Sequence, residues 1–251
     1  MLEVHGITQV FGGVTALEEV SFAIRQGDIT GVIGPNGAGK TTLFNIITGI
    51  YRQTRGTVTL EGRDVSGLPP EKLARYGMVR TFQNIELFGQ MSVLENVMVG
   101  LHTKSRSGLL ACSLKAPWAM AEERRIRAGA MKWIDFVGIN DLADVIAANL
   151  PFGKGRLLEI ARALAVEPCL ILMDEPAAGL NSQETLALAR LIERIRDLGI
   201  TVVLVEHDME LVMDICDRIV VLNLGKKLAE GTPRAIQENP EVVAAYLGGD
   251  D

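Results

Sequence analysis

This 251-residue chain lacks the means for a disulfide framework or a structural zinc site. Its three cysteines, Cys112, Cys169 and Cys216, are odd in number and widely spaced, with no CxxC pair. That usage fits a reducing compartment. No apolar run reaches the roughly 18 residues of a membrane span, so any membrane role is expected to come through a partner. Met1 to Val10 alternates polar and apolar residues and lacks the charged-then-apolar order of a signal peptide. Low-complexity tracts and internal repeats are missing too. So is an excess of positive charge: 31 acidic against 25 basic residues leave a net charge of −6. An acidic chain has no general attraction to a phosphate backbone, and nucleic acid is not expected as a partner.

Hydrophobic residues make up 48% of the chain, enough for a sizeable core in one large domain or one domain with an inserted subdomain. Short strands are predicted at Leu2–Ile7, Val20–Ile24 and Thr57–Glu61, with turns at Gly12-Gly13 and Gly27-Asp28. Ile29–Ile33 reads as a compact buried strand running into a Gly-rich loop, and Thr41–Thr48 as the helix that follows. Composition shifts near Gly89. Ser92-Val-Leu-Glu95 is a capping box, so a helix is expected from Ser92 and mostly helix from there to about Leu164. Arg124, Arg125 and Arg127 read as a solvated helix face. Alternation of strand and helix then returns. Strands are predicted at Cys169–Met173, Thr201–Val205 and Arg218–Leu222, with a helix from about Ser182. Thr232-Pro233 and Asn239-Pro240 are helix starts, and Gly248 is a stop. The sum is an α/β core with a helical insert of roughly seventy residues.

Gly34-Pro35-Asn36-Gly37-Ala38-Gly39-Lys40-Thr41, followed by Thr42, matches GxxxxGK[ST] between a predicted strand and a predicted helix. Glycines let the loop turn its N–H groups inward toward phosphate oxygens, and the helix start adds its positive end. Lys40 is expected to reach the β- and γ-phosphates of ATP, and the Thr41 hydroxyl to complete a Mg2+ shell. Cys169-Leu-Ile-Leu-Met-Asp174-Glu175 is an apolar strand ending in two carboxylates. Such a strand delivers Asp174 to the sheet edge, where it can hold the metal through water, while Glu175 can polarise a water for in-line attack on the γ-phosphate. Standing alone, the same pattern would also describe a strand ending in a helix cap. His207 follows the strand Thr201–Val205. A lone histidine there is as a rule a satisfied polar residue, and only its surroundings raise the prospect of a role.

With P-loop, carboxylate pair and histidine in this order, the chain resembles the ATP-binding subunits of ABC transporters from Leu2 to Leu247. The resemblance implies an α/β P-loop NTPase fold: a RecA-like core sheet, an N-terminal antiparallel β subdomain and an inserted helical subdomain. Residues 1–251 would be a single ABC-type ATPase domain, with the helices at about 89–165. It also assigns roles. Phe11 would stack on the adenine. Gln83, in Arg80-Thr-Phe-Gln83-Asn, would contact Mg2+ and the attacking water and sense the transporter partner. His207 would hold the γ-phosphate and help position Glu175. Ala178-Gly-Leu-Asn181 would cross to a second subunit.

The signature segment, LSGGQ in its common form, is here Leu150, Pro151, Phe152, Gly153 and Lys154, continued by Glu159-Ile-Ala-Arg-Ala-Leu164. In this family it caps the ATP held by the opposite subunit. Pro151 brings neither hydroxyl nor N–H to that task. Lys154 replaces the usual glutamine, and Asn181 stands where many members have aspartate. The Pro-aromatic-Gly signature is similar to that of importers of branched-chain and other hydrophobic amino acids, and most to the longer of their two ATPase subunits. Arg80–Phe88, the Gly108-Leu-Leu region and the ending Gly231-Thr-Pro…Gly248 carry the same likeness, with urea and short-amide importers as the alternative. The resemblance implies a dimer with a homologous second ATPase subunit, a heterodimer, together with two membrane permeases and, indirectly, a substrate-binding protein. The place of work would be the cytoplasmic face of the inner or plasma membrane. Two rival readings follow from the P-loop alone. A small-molecule kinase would need an acceptor pocket and an arginine-rich lid. A nucleotide sensor would be expected to lack Glu175, and a DNA-associated module to carry more basic surface.

Overall fold

The computed structural model describes residues 1–83, 85–102 and 117–247. The Gly108-Leu-Leu stretch, Cys112 and Gly248 lie outside the described residues. Two compact units divide the chain: residues 1–80 with 169–251, and residues 81–168.

The first unit holds two sheets. Strands β1 (Leu2–Phe11), β2 (Val14–Ile24), β4 (Arg55–Leu60) and β5 (Arg63–Asp64) form a four-stranded sheet in the order β2-β1-β4-β5, antiparallel throughout. Period-two patterning starts it: Leu2 and Val4 are buried while Glu3 and His5 face solvent, and Ile7 is buried beyond a register shift between Val4 and Ile7. The second sheet has six strands in the order β10-β9-β3-β8-β7-β6. Its members are β3 (Ile29–Ile33), β6 (Met78–Thr81), β7 (Leu170–Asp174), β8 (Thr201–Val205), β9 (Arg218–Asn223) and β10 (Lys226–Gly231). β3 pairs in parallel with β8 and β9, and β7 with β8, whereas β10 returns antiparallel to β9. The three central strands are buried along their whole length, as near-continuous apolar runs must be when both faces are covered. Around the sheets lie α1 (Lys40–Ile47), α2 (Pro70–Arg75), α6 (Ser182–Asp197), α7 (Met209–Ile215), α8 (Pro233–Gln237) and α9 (Pro240–Leu247). Leu43, Phe44, Ile46 and Ile47 of α1 enter a core shared with both sheets.

The second unit is helical: α3 (Val93–His102), α4 (Pro117–Phe136), two short 3-10 turns at Asn140–Leu142 and Ala147–Asn149, and α5 (Phe152–Ala165). Both bonds of the expected capping box open α3, Ser92 N–H to Glu95 at 2.8 Å and Glu95 N–H to Ser92 Oγ at 3.2 Å. Arg124, Arg125 and Arg127 are exposed, and Ile126, Ala130, Trp133 and Ile134 carry the buried stripe of α4, with Val137 buried just past its end. Among the described residues, no helix is long and apolar enough to cross a membrane.

The expected α/β architecture is found. The sequence reading missed five elements: β5, β6, α2, α7 and β10. β5 and β6 are too short to show a period, and β10, Lys-Lys-Leu-Ala-Glu-Gly, is a polar edge strand whose pairing with β9 comes from the hairpin at Leu224-Gly225.

Candidate active site

Because β3, β8 and β7 run parallel, their C-terminal ends lie along one edge of the sheet. β3 ends in the Gly34 loop, β7 in Asp174-Glu175, and β8 is followed by Glu206-His207. Residues far apart in the chain are thus brought together: Asn36–Thr42, Glu175 and His207 line one open cleft of about 490 Å³. That is within the usual range of small-ligand sites.

The loop geometry requires its glycines. Gly34 has φ 154°, and a Cβ there would stand 2.1 Å from the Leu222 carbonyl oxygen. Gly39 has φ 98°, and its Cβ would meet a Leu17 methyl at 2.6 Å and the Ala16 oxygen at 2.8 Å. Gly39 is also the cap of α1. No side chain caps that helix start and no acidic residue sits in its first turn, so its N–H groups face the cleft as anion donors. Lys40 is 6% exposed, and its Nζ donates to Gly34 O at 2.6 Å and Pro35 O at 2.9 Å. Burial lowers its pKa, opposed by the charge of Glu175. Donor-rich backbone, a helix start and a lysine therefore converge where a polyphosphate would fit.

Glu175 and His207 meet across the cleft, His207 Nε2 lying 2.8 Å from Glu175 Oε1. The Glu175 backbone is in the left-handed region, φ 45°, anchored by its N–H to Val205 O at 2.9 Å. A non-glycine residue held there costs roughly 1–3 kcal/mol, strain that recurs at functional sites. Asp174 is buried behind the cleft, 5% exposed, where its Oδ2 accepts from Arg80 Nη2 at 2.5 Å. Among the described residues no group of three or more His, Cys, Asp or Glu side chains converges as a metal site. Mg2+ commonly takes one or two protein oxygens and the rest from phosphates and water. Thr41 in the cleft and Asp174 beside it are the side chains of this unit that fit it.

Phe11 stands apart from the cleft lining. It is 43% exposed and packs edge-on against Tyr51, with ring centroids 5.5 Å apart. Gln83 and the signature residues belong to the helical unit. Gln83 is exposed, and its carbonyl accepts from Arg156 Nη2 at 2.7 Å. Pro151 caps α5 with φ −55° and ψ 149°, with no side-chain hydrogen bond, and Phe152 is 53% exposed. That helix start is open as well, with no acidic residue in its first turn. Asn181 caps α6 through a complete capping box with Glu184.

Several residues escaped the sequence reading. Arg156 and Glu159, 1% and 2% exposed, form a buried ion pair at 2.8 Å. They grip the Gln83 segment: Glu159 accepts from Phe82 N–H at 2.9 Å, and Arg156 donates to Phe82 O at 2.6 Å. Burial raises the Glu159 pKa against these stabilising partners. Glu206 accepts from the N–H groups of Ala177 at 2.7 Å and His207 at 3.0 Å, joining the loop after Glu175 to the one bearing His207. Burial raises its pKa too. Burial likewise pushes the Tyr246 hydroxyl up to about 12, opposed by a backbone hydrogen bond from Gly34. The one available signal was Glu159 in the signature continuation, a charge on the apolar face of a helix.

Residues 17–178 match the family model described as ABC transporter, and residues 226–251 match that of the branched-chain amino acid ATP-binding cassette transporter. The chain is 45% identical to the high-affinity branched-chain amino acid transport ATP-binding protein BraF of Pseudomonas aeruginosa, over 99% of this chain and 98% of that one. The fold matches the ADP conformation of MJ1267, an ATP-binding cassette of an ABC transporter, with TM-score 0.86 and 34% identity, covering 99% and 98% of the two chains. It also matches the dimeric structure of the cassette MJ0796, with TM-score 0.78 and 27% identity, covering 93% of this chain and 99% of that one. With its P-loop cleft at the parallel sheet edge and these relatives along its full length, the chain belongs to the ABC transporter family, as one of its ATP-binding and ATP-hydrolysing subunits.

Proposed function

We propose that this chain energises a membrane importer of branched-chain or other hydrophobic amino acids, working as a single ATPase domain over 1–251 with its helices as an insert. The observation that carries the catalytic part is the Glu175–His207 pair, 2.8 Å apart, at the mouth of the same cleft that holds Lys40. Phosphoryl transfer to water needs positioning and charge more than covalent help. Lys40, the uncapped start of α1 and backbone N–H groups of the Gly34 loop hold the phosphates. Glu175 takes the proton of the attacking water, with His207 fixing the Glu175 carboxylate and the γ-phosphate. Phe11 offers its ring to the adenine. Thr41 and Asp174 would hold Mg2+, which when bound would neutralise charge on the phosphates.

The open start of α5, with Leu150, Pro151, Phe152, Gly153 and Lys154, serves the nucleotide of a second, homologous ATPase subunit. Two permeases take up the Gln83–Phe88 surface from the cytoplasmic face of the membrane, and a binding protein chooses the cargo. The amino-acid assignment is supported by the branched-chain relative and by the match at 226–251. An uptake assay with the chain reconstituted alongside its permeases, second ATPase and binding protein decides it. Leucine, isoleucine or valine should be taken up in an ATP-dependent way. Transport of urea with none of the amino acids would assign the other subfamily.

A further inference from the structure

Arg80 lies on β6, the strand beside β7 in the sheet, and its guanidinium reaches the carboxylate at the end of β7. Both ions are nearly sealed from water, with side-chain exposures of 8% for Arg80 and 7% for Asp174. The other terminal guanidinium nitrogen, Nη1, donates to Asn45 Oδ1 at 2.6 Å, on α1, and to Thr48 Oγ1 at 3.1 Å, at its C-terminal cap. Asn45 and Thr48 follow Thr41 by one and two helical turns and so share its face of α1. One cation is thereby pinned between the carboxylate proposed to face the metal and the helix that begins at the phosphate loop. With Arg80 in hydrogen-bond contact, the charge of the Asp174 carboxylate is already matched.

We propose that Arg80 is a resident counter-ion for Asp174, holding the carboxylate paired and oriented until a divalent cation arrives with the nucleotide. The idea rests on the reading of Asp174 as a Mg2+-side residue. Its consequence is an order of events. A free divalent cation meets a neutralised carboxylate and gains little. The same cation accompanied by phosphates brings its own anions, and Asp174 then shares its charge between Arg80 and the metal. Arg80 is a positioning residue on this account, acting through Asp174 rather than on the nucleotide.

The test is Mn2+ binding to the purified full-length chain in the presence of ADP, followed by electron paramagnetic resonance, together with thermal unfolding in chelator and in Mn2+. R80M should bind Mn2+ roughly tenfold tighter than the unaltered chain, since a repelling charge has gone. Its unfolding midpoint should fall in chelator and rise on adding Mn2+, while R80K stays close to the unaltered chain. Equal or weaker Mn2+ binding by R80M overturns the proposal. Should R80M not fold, the double variant R80M/D174N decides: it should be more stable than D174N alone, because the orphaned guanidinium is removed. A double variant no more stable than D174N contradicts the pair. D174N separates this idea from the one beneath it. If D174N binds Mn2+ as well as the unaltered chain, Asp174 is not a metal residue and both readings fall. If D174N loses Mn2+ while R80M is unchanged, only the role of Arg80 falls.

Discussion

At the scale of single residues, Lys40 shows how a short motif carries a specific chemical task. Its ammonium is folded back onto the carbonyls of Gly34 and Pro35, which replace the water it loses on burial. Exchanging those carbonyls for phosphate oxygens converts neutral acceptors into charged ones, a gain of about 1.5–3 kcal/mol. Lys40→Ala should therefore weaken ATP binding by roughly ten- to a hundredfold, read by equilibrium titration with a fluorescent ATP analogue; equal affinity in the two proteins would remove the role. The glycines, Lys40, Asp174 and Glu175 were legible because their chemistry is written in adjacent letters. Arg80 was not. Its carboxylate partner lies 94 residues away in the chain, and no local pattern says that β6 and β7 are neighbours. The strained φ of Glu175 was equally hidden, because it is set by the loop's bond to Val205 and not by the Asp-Glu pair itself.

At the scale of elements, the chain invests buried charge where two segments must keep register. Glu206 ties the loop after β7 to the loop after β8, and burial raises its pKa above the ordinary glutamate value. The sign follows from linkage. A carboxyl whose folded pKa is raised contributes most at low pH, and that contribution is lost as pH rises through the folded value. In E206Q the loss is absent. Stability measured by urea unfolding should thus shift in favour of E206Q, relative to the unaltered chain, as pH rises above the unfolded glutamate pKa. A difference that is flat with pH would contradict the assignment. Asn181 acts at the start of α6, accepting from Gln183 N–H and Glu184 N–H at 3.0 Å each. Asn181→Ala should cost about 1 kcal/mol, seen as a lower urea midpoint, and Asn181→Asp should keep the cap. Helix starts with such signals were readable in advance: Ser92, Thr232 and Asn239 all stand just before a helix. The grip of Arg156 and Glu159 on the Gln83 segment was not, because it joins residues 73 to 77 positions apart.

At the scale of the whole molecule, the edge proposed to be catalytic is a product of topology. Only a parallel β3-β8-β7 arrangement puts the P-loop, His207 and Glu175 on one cleft. Alternation of strand and helix in the sequence pointed to that class of sheet, but the strand order that places β8 between β3 and β7 had no local signature. The central claim is that Glu175 turns nucleotide binding at this cleft into hydrolysis, and comparing Glu175→Gln with the unaltered chain tests it most directly. ATP affinity and phosphate release would be measured on the same preparations, in complex with the second ATPase subunit and the permeases. The account predicts unchanged ATP affinity, a dimer that stays closed on ATP, and turnover reduced by about 10²–10⁴-fold, the usual worth of a general base. Phosphate release at the unaltered rate would contradict it.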